Sequence, residues 1–104
     1  METSNKESFS DVINGATPVL VDFFAEWCGP CKMMTPVLKQ LRDKMPDSIR
    51  ILKLDVDKSP AMANAFQVQG VPTLILFHKG KIIWRQSGVV PLNVLENIIR
   101  QHIS

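Results

Sequence analysis

The chain has 104 residues, 45% of them apolar, and its twelve basic and ten acidic side chains give a formal net charge of +2. That is enough chain for one domain, residues 1–104, with a single core and no need of staples. The charges are interspersed, so no basic stripe tracks a nucleic acid, and the longest apolar runs fall far short of the roughly 18 residues a membrane span requires.

Ser4 and Glu7 form a capping box ahead of Phe9, Val12 and Ile13, whose spacing predicts an apolar helical stripe that stops at Gly15. The polar stretch Met1 to Ser10 holds no apolar signal core. This favours a cytoplasmic protein, although a mature periplasmic chain with its signal removed has the same appearance. Val19 to Ala25 is apolar except for Asp22, the pattern of a strand buried on both faces of a parallel sheet.

That strand leads into Trp27-Cys28-Gly29-Pro30-Cys31-Lys32, which contains the only two cysteines in the chain. Groups at i and i+3 of a regular helix have Cβ atoms roughly 5 to 6 Å apart, whereas a disulfide needs roughly 3.5 to 4.5 Å. The pair can close at a helix start, where the first residue need not be helical, and Pro30 suits the first turn. Cys28 is then expected at the N-terminus, in a surface-accessible turn where the helix dipole favours a thiolate. Cys31 lies one turn in, more enclosed, and acts second by attacking Cys28 in a mixed disulfide. Three plainer readings compete. A structural disulfide closing so short a loop constrains the unfolded chain little. Half a zinc site lacks partners at a zinc spacing, and two inert buried thiols fit poorly beside Gly29-Pro30.

Met34, Val37, Leu38, Leu41 and Met45 line one face of the following helix, which Pro36 is expected to interrupt and kink. Ile49 to Val56 reads as a second central strand. Ser59-Pro60 caps and opens a short helix through Phe66, and Gly70 ends that segment. Thr73 to Phe77 is a third strand, turning through His78-Lys79-Gly80 into Lys81 to Ser87 as a hairpin. Gly88 breaks it, and Leu92, Leu95, Ile98, Ile99 and Ile103 mark an amphipathic last helix with Pro91 near its start.

With the Cys-Gly-Pro-Cys stretch placed between a buried strand and a helix, the chain from Phe9 to Ile103 resembles thioredoxin. The likeness also rests on Val21-Asp22-Phe23-Phe24-Ala25-Glu26, Lys53-Leu54-Asp55-Val56-Asp57, Val71-Pro72-Thr73 and Gly88. It implies an α/β thioredoxin fold, a central mixed sheet of four to five strands with helices on both faces. It implies Cys28 as nucleophile, Cys31 as resolving thiol, and Asp22, with Lys53 beside it, as the proton carrier for Cys31. Burial raises a carboxyl's pKa toward the range useful for that work; the plain alternative is an Asp22–Lys53 pair that is only structural. Further implications are a cis bond before Pro72, backbone of Val71 open to strand addition by an extended client, and an apolar docking surface of Trp27, Gly29, Pro30, Pro72, Gly88 and Val89. For Trp27 the plain reading is a packing aromatic.

Three departures stand out. Phe24 replaces a frequent second tryptophan, Ser87 replaces an apolar residue, and only Met1 to Thr3 remain for the N-terminal strand. The implied activity is protein-disulfide reduction by a monomer, recharged by a separate NADPH-dependent flavoprotein, a thioredoxin reductase. The absence of a charged group between the cysteines favours a reductant. No bound cofactor or metal is expected, since no glycine-rich phosphate loop is present. The rival functions are a periplasmic oxidase or isomerase and a non-catalytic binding module.

Overall fold

A computed structural model describes residues 8–103; the expected capping box at Ser4 and Glu7 and the strand stub at Met1 to Thr3 lie outside them. The elements run α1 (Phe9–Ile13), β1 (Val19–Phe24), α2 (Gly29–Lys44), β2 (Arg50–Asp55), α3 (Pro60–Ala65), β3 (Thr73–His78), β4 (Lys81–Ser87) and α4 (Leu92–Ile103). Among the described residues the cap of α1 is Ser8, whose Oγ accepts from the Asp11 amide at 3.1 Å. Such a bond satisfies one of the amides left free at a helix start.

The sheet has the order β2-β1-β3-β4, with β1 parallel to β2 and antiparallel to β3, and β3 antiparallel to β4. This is the expected mixed sheet, with four strands among the described residues. Strands β1 and β3 are central and buried on both faces, as their continuous apolar runs require. Strand β2, expected to be central, instead lies at an edge of the described sheet and is only half-buried. Its charged residues Arg50, Lys53 and Asp55 suit that exposure better than an interior position.

Alternation along the strands sends side chains to opposite layers. Leu20, Ile51, Leu74 and Leu76 meet Met34, Leu38 and Leu41 of α2 and Leu95 and Ile99 of α4. Val19, Val21, Phe23, Leu52, Ile75 and Phe77 meet α1 on the other face, with Met62 of α3 and Phe66 just beyond it packed alongside. Helices thus cover both faces. Pro36 lies inside α2 without ending it, and Ser59 occupies the α3 cap position without a side-chain cap hydrogen bond.

The hairpin turn uses Lys79 at φ 54° and Gly80 at φ 81°. Two left-handed residues in succession match the twist of the flanking strands. A side chain at Gly80 would strike Asn14, because the Gly80 amide approaches α1 closely enough to donate to the Ile13 carbonyl at 2.8 Å. The hairpin tip is thereby tied to the outer layer.

A candidate redox site at the start of the second helix

Strand β1 ends in the buried layer and hands the chain to a short turn, closed by the Cys28 amide donating to the Ala25 carbonyl at 3.1 Å. Cys28 is the N-cap of α2, with extended dihedrals of φ −89° and ψ 111°, and Pro30 sits in the first turn. The cap does what the spacing demands: Cys28 and Cys31 are joined as a disulfide with their Cα atoms 5.3 Å apart. The Cys31 amide donates to Cys28 Sγ at 3.1 Å. A sulfur in this place receives a backbone N–H and the positive end of a helix of sixteen residues.

Burial corrects one expectation. Cys28 is 4% exposed and Cys31 3%, so the first cysteine is not the open member of the pair. The Cys28 side chain folds back over its own first turn, and Ala25, Phe24, Val56 and Val71 enclose the two residues. Gly29 and Pro30 remain on the surface, and Trp27 is 72% exposed. Trp27 is not a packing aromatic: its Nε1 donates to Asp57 Oδ2 at 2.9 Å, while the Asp57 amide donates to Asp55 Oδ1 at 2.9 Å. Asp57 belongs to the resembling segment, but no local signal in the sequence connects it to Trp27.

The loop before β3 closes over the sulfurs from the far side. The Val71–Pro72 bond is cis. The Val71 carbonyl oxygen stands 3.6 Å from Cys28 Sγ, a contact in the disulfide that can be a hydrogen bond only when Cys28 carries a proton. Pro72, expected on the docking surface, is buried, and Val71 is half-buried. The Pro72 carbonyl accepts from the Gly88 amide at 2.8 Å, which brings the segment after β4 alongside. Gly88, at φ 94°, turns the chain so that Val89 is displayed, 38% exposed.

Asp22 lies on the α2 side of β1, in register with Lys53 of β2. It is completely buried, and neither carboxylate oxygen has a hydrogen-bond partner. The structural Asp22–Lys53 pair is therefore not formed as a hydrogen bond. Lys53 Nζ donates to Thr35 Oγ1 at 3.2 Å and lies 4.8 Å from the centre of the Phe24 ring. Burial drives the Asp22 pKa up from 3.8 to about 6, and the Lys53 charge pulls it only partway back. Phe24, Lys53, Thr35 and Cys31 line one cleft of about 350 Å³ together with Ala25, Glu26 and Lys32. The cleft borders Cys31 and Lys53, the strand neighbour of Asp22, while Asp22 itself is not among its lining residues.

Two further polar groups hold the neighbouring backbone, and neither contact was indicated by a sequence pattern. Thr73, 1% exposed, donates to the Gly70 carbonyl at 2.6 Å and pairs with Ser87 Oγ at 3.1 Å. The Val90 amide donates to Met34 Sδ at 3.4 Å. Among the described residues no cluster of histidine, cysteine or acidic side chains is arranged to hold a metal ion.

A family model described as Thioredoxin matches residues 1–101. A thioredoxin of Chlamydia trachomatis is 45% identical over 102 residues, covering 98% of both chains. A chloroplastic thioredoxin of Arabidopsis thaliana is 45% identical over 89 residues, of which this chain spans about half the length, 53%. A bifunctional thioredoxin reductase/thioredoxin of Mycobacterium leprae is 46% identical over 88 residues, 85% of this chain and 19% of that one. Among solved structures, a mutant thioredoxin from Halobacterium salinarum superposes with a TM-score of 0.84 at 37% identity, covering 91% of this chain and 82% of the other.

Proposed function

The chain belongs to the thioredoxin family, and from that premise we propose that it reduces disulfides in client proteins by a reversible exchange at Cys28 and Cys31. The observation that carries this reading is the Cys31 amide aimed at Cys28 Sγ at 3.1 Å, at the N-terminus of α2. Before chemistry the sulfurs are reduced. The Cys28 thiolate, held by that amide and the helix dipole, attacks one sulfur of the client disulfide; the other client sulfur leaves as a thiolate and takes up a proton. Cys31 then loses its proton and attacks Cys28 Sγ. The bond to the client breaks, the client leaves as a dithiol, and two electrons have passed to it. The disulfide regenerated between Cys28 and Cys31 is the state seen in the structure.

Asp22 is proposed to accept the Cys31 proton. Its raised pKa and its unpartnered oxygens support that role, since a carboxylate satisfied by hydrogen bonds would be a poorer base. Lys53 is proposed to tune it electrostatically. Trp27, Gly29, Pro30 and Val89 present the client surface, with Val71, Pro72 and Gly88 shaping its floor. Clients are proposed to dock as a monomer-to-client encounter, and recharging is assigned to an NADPH-dependent flavoprotein reductase, a partnership that the fused Mycobacterium leprae relative supports.

The test is capture. Cys31→Ser leaves Cys28 able to attack and unable to be released, so client proteins should accumulate as mixed disulfides that dithiothreitol cleaves. Failure of Cys31→Ser to trap any disulfide-bonded substrate, with Cys28 free and alkylatable, rejects the exchange mechanism.

A further inference from the structure

We infer that Met34 is a positioning residue for client docking: its thioether fixes the Gly88–Val89–Val90 segment against the redox helix. The inference rests on the reading of Val89 as part of the client surface. The segment is anchored at two points. At its start the Gly88 amide donates to the Pro72 carbonyl at 2.8 Å, an extension of the β3–β4 pairing. At its end the Val90 amide has left the sheet, is completely buried, and donates to Met34 Sδ at 3.4 Å. Between the anchors Gly88 at φ 94° lifts Val89 to the surface.

Met34 is itself completely buried and sits three residues after Cys31 on α2, so the two share one face of the helix. A helix that carries the resolving sulfur thus also carries the acceptor that sets the height of the docking segment. The bond has chemical content beyond packing. A buried amide must find an acceptor, because leaving it unpaired is costly, and a leucine at this position fills nearly the same space while offering none. Thioethers are weak acceptors, so the predicted effect is graded: the segment shifts to find another partner, and Val89 moves relative to Cys28.

The experiment compares Met34→Leu with the unaltered protein as pre-reduced dithiols, against a protein disulfide (insulin) and against a small aromatic disulfide, dithiobis(nitrobenzoate), that needs no docking segment. Met34→Leu is expected to raise the half-saturating insulin concentration by about two- to fivefold, the range of one weak hydrogen bond, with the maximal rate and the small-disulfide rate nearly unchanged. Hydrogen exchange at the Val90 amide should quicken in step. Equal slowing on both substrates indicates a general structural defect and overturns the inference, as does an unaltered insulin dependence despite faster Val90 exchange. If the unaltered protein reduces neither substrate, the exchange mechanism itself fails, and that outcome is separate from any effect of Met34.

Discussion

The two faces of the sheet are built from the same kinds of residue and have different jobs. Toward α1 and α3 the packed cluster is built of apolar side chains: Phe9, Phe66 and Phe77 contact one another with ring centres 5.3 to 5.9 Å apart, and Phe23 lies 6.2 Å from Phe66. Tilted and edge-on aromatic pairs of this kind add to the burial of each ring. Toward α2 and α4 the packed cluster is apolar too, but Asp22, in register with Leu74 of that face, is a buried charge-bearing group without a hydrogen-bond partner. Thr73, the other buried polar residue among the described residues, is hydrogen-bonded to Gly70 and Ser87. The buried polar group left unsatisfied lies on the sheet face covered by α2, the helix that carries the cysteines, and its burial lowers stability where the aromatic face raises it.

Substitutions should separate the two faces. The largest effect on chemistry is expected from Cys28→Ser, which should bring client reduction to background while the fold persists, as circular dichroism would show. On the opposite face, Phe77→Ala should cost about 3–5 kcal/mol of stability, measured by urea unfolding, with the rate per folded molecule retained. A large loss of rate would mean the faces are coupled.

Asp22→Asn should do the reverse. The folded carboxyl binds its proton up to pH about 6, the unfolded one only to about 3.8. The native state therefore holds more protons between those values, and stability falls as pH rises through that window, with the full deficit above it. Removing the charge should add on the order of 3 kcal/mol at pH 8, and should slow release of client from Cys28 by about a hundredfold, the low end of general acid–base catalysis. An inflection near pH 6 is expected in the wild-type rate and should be missing from the variant. No gain in stability would show that Asp22 is satisfied after all.

The smallest effect is expected from Trp27→Phe, which deletes the donor to Asp57. About 0.5–1.5 kcal/mol is a typical value for one hydrogen bond, and the change should appear more in client affinity than in unfolding.

Most of the architecture was legible because period and punctuation agree: the apolar run of β1, the stripe of α4, and Lys79-Gly80 at the hairpin each have one structural solution. What was not legible depends on residues far apart in the chain. Strand β2 reads as central from Ile51, Leu52 and Leu54, yet its place in the order is decided by which strands pair. The cysteine spacing dictated an N-cap, but Val71 and Val56, which bury Cys28, come from elsewhere in the chain. The cis bond before Pro72 came from resemblance alone, since local sequence favours trans. The resemblance sets Lys53 beside Asp22, but its Nζ donates to Thr35 Oγ1 and leaves the carboxylate without a hydrogen bond.

Disulfide exchange at this site turns on the acidity of one sulfur, and the pH dependence of Cys28 alkylation in the reduced Cys31→Ser protein measures it directly. An amide and a helix end holding the thiolate predict half-maximal reactivity well below the pKa of about 8.5 of a free cysteine. A midpoint at or above that value would mean that enclosure outweighs both, and Cys28 would not be the attacking group.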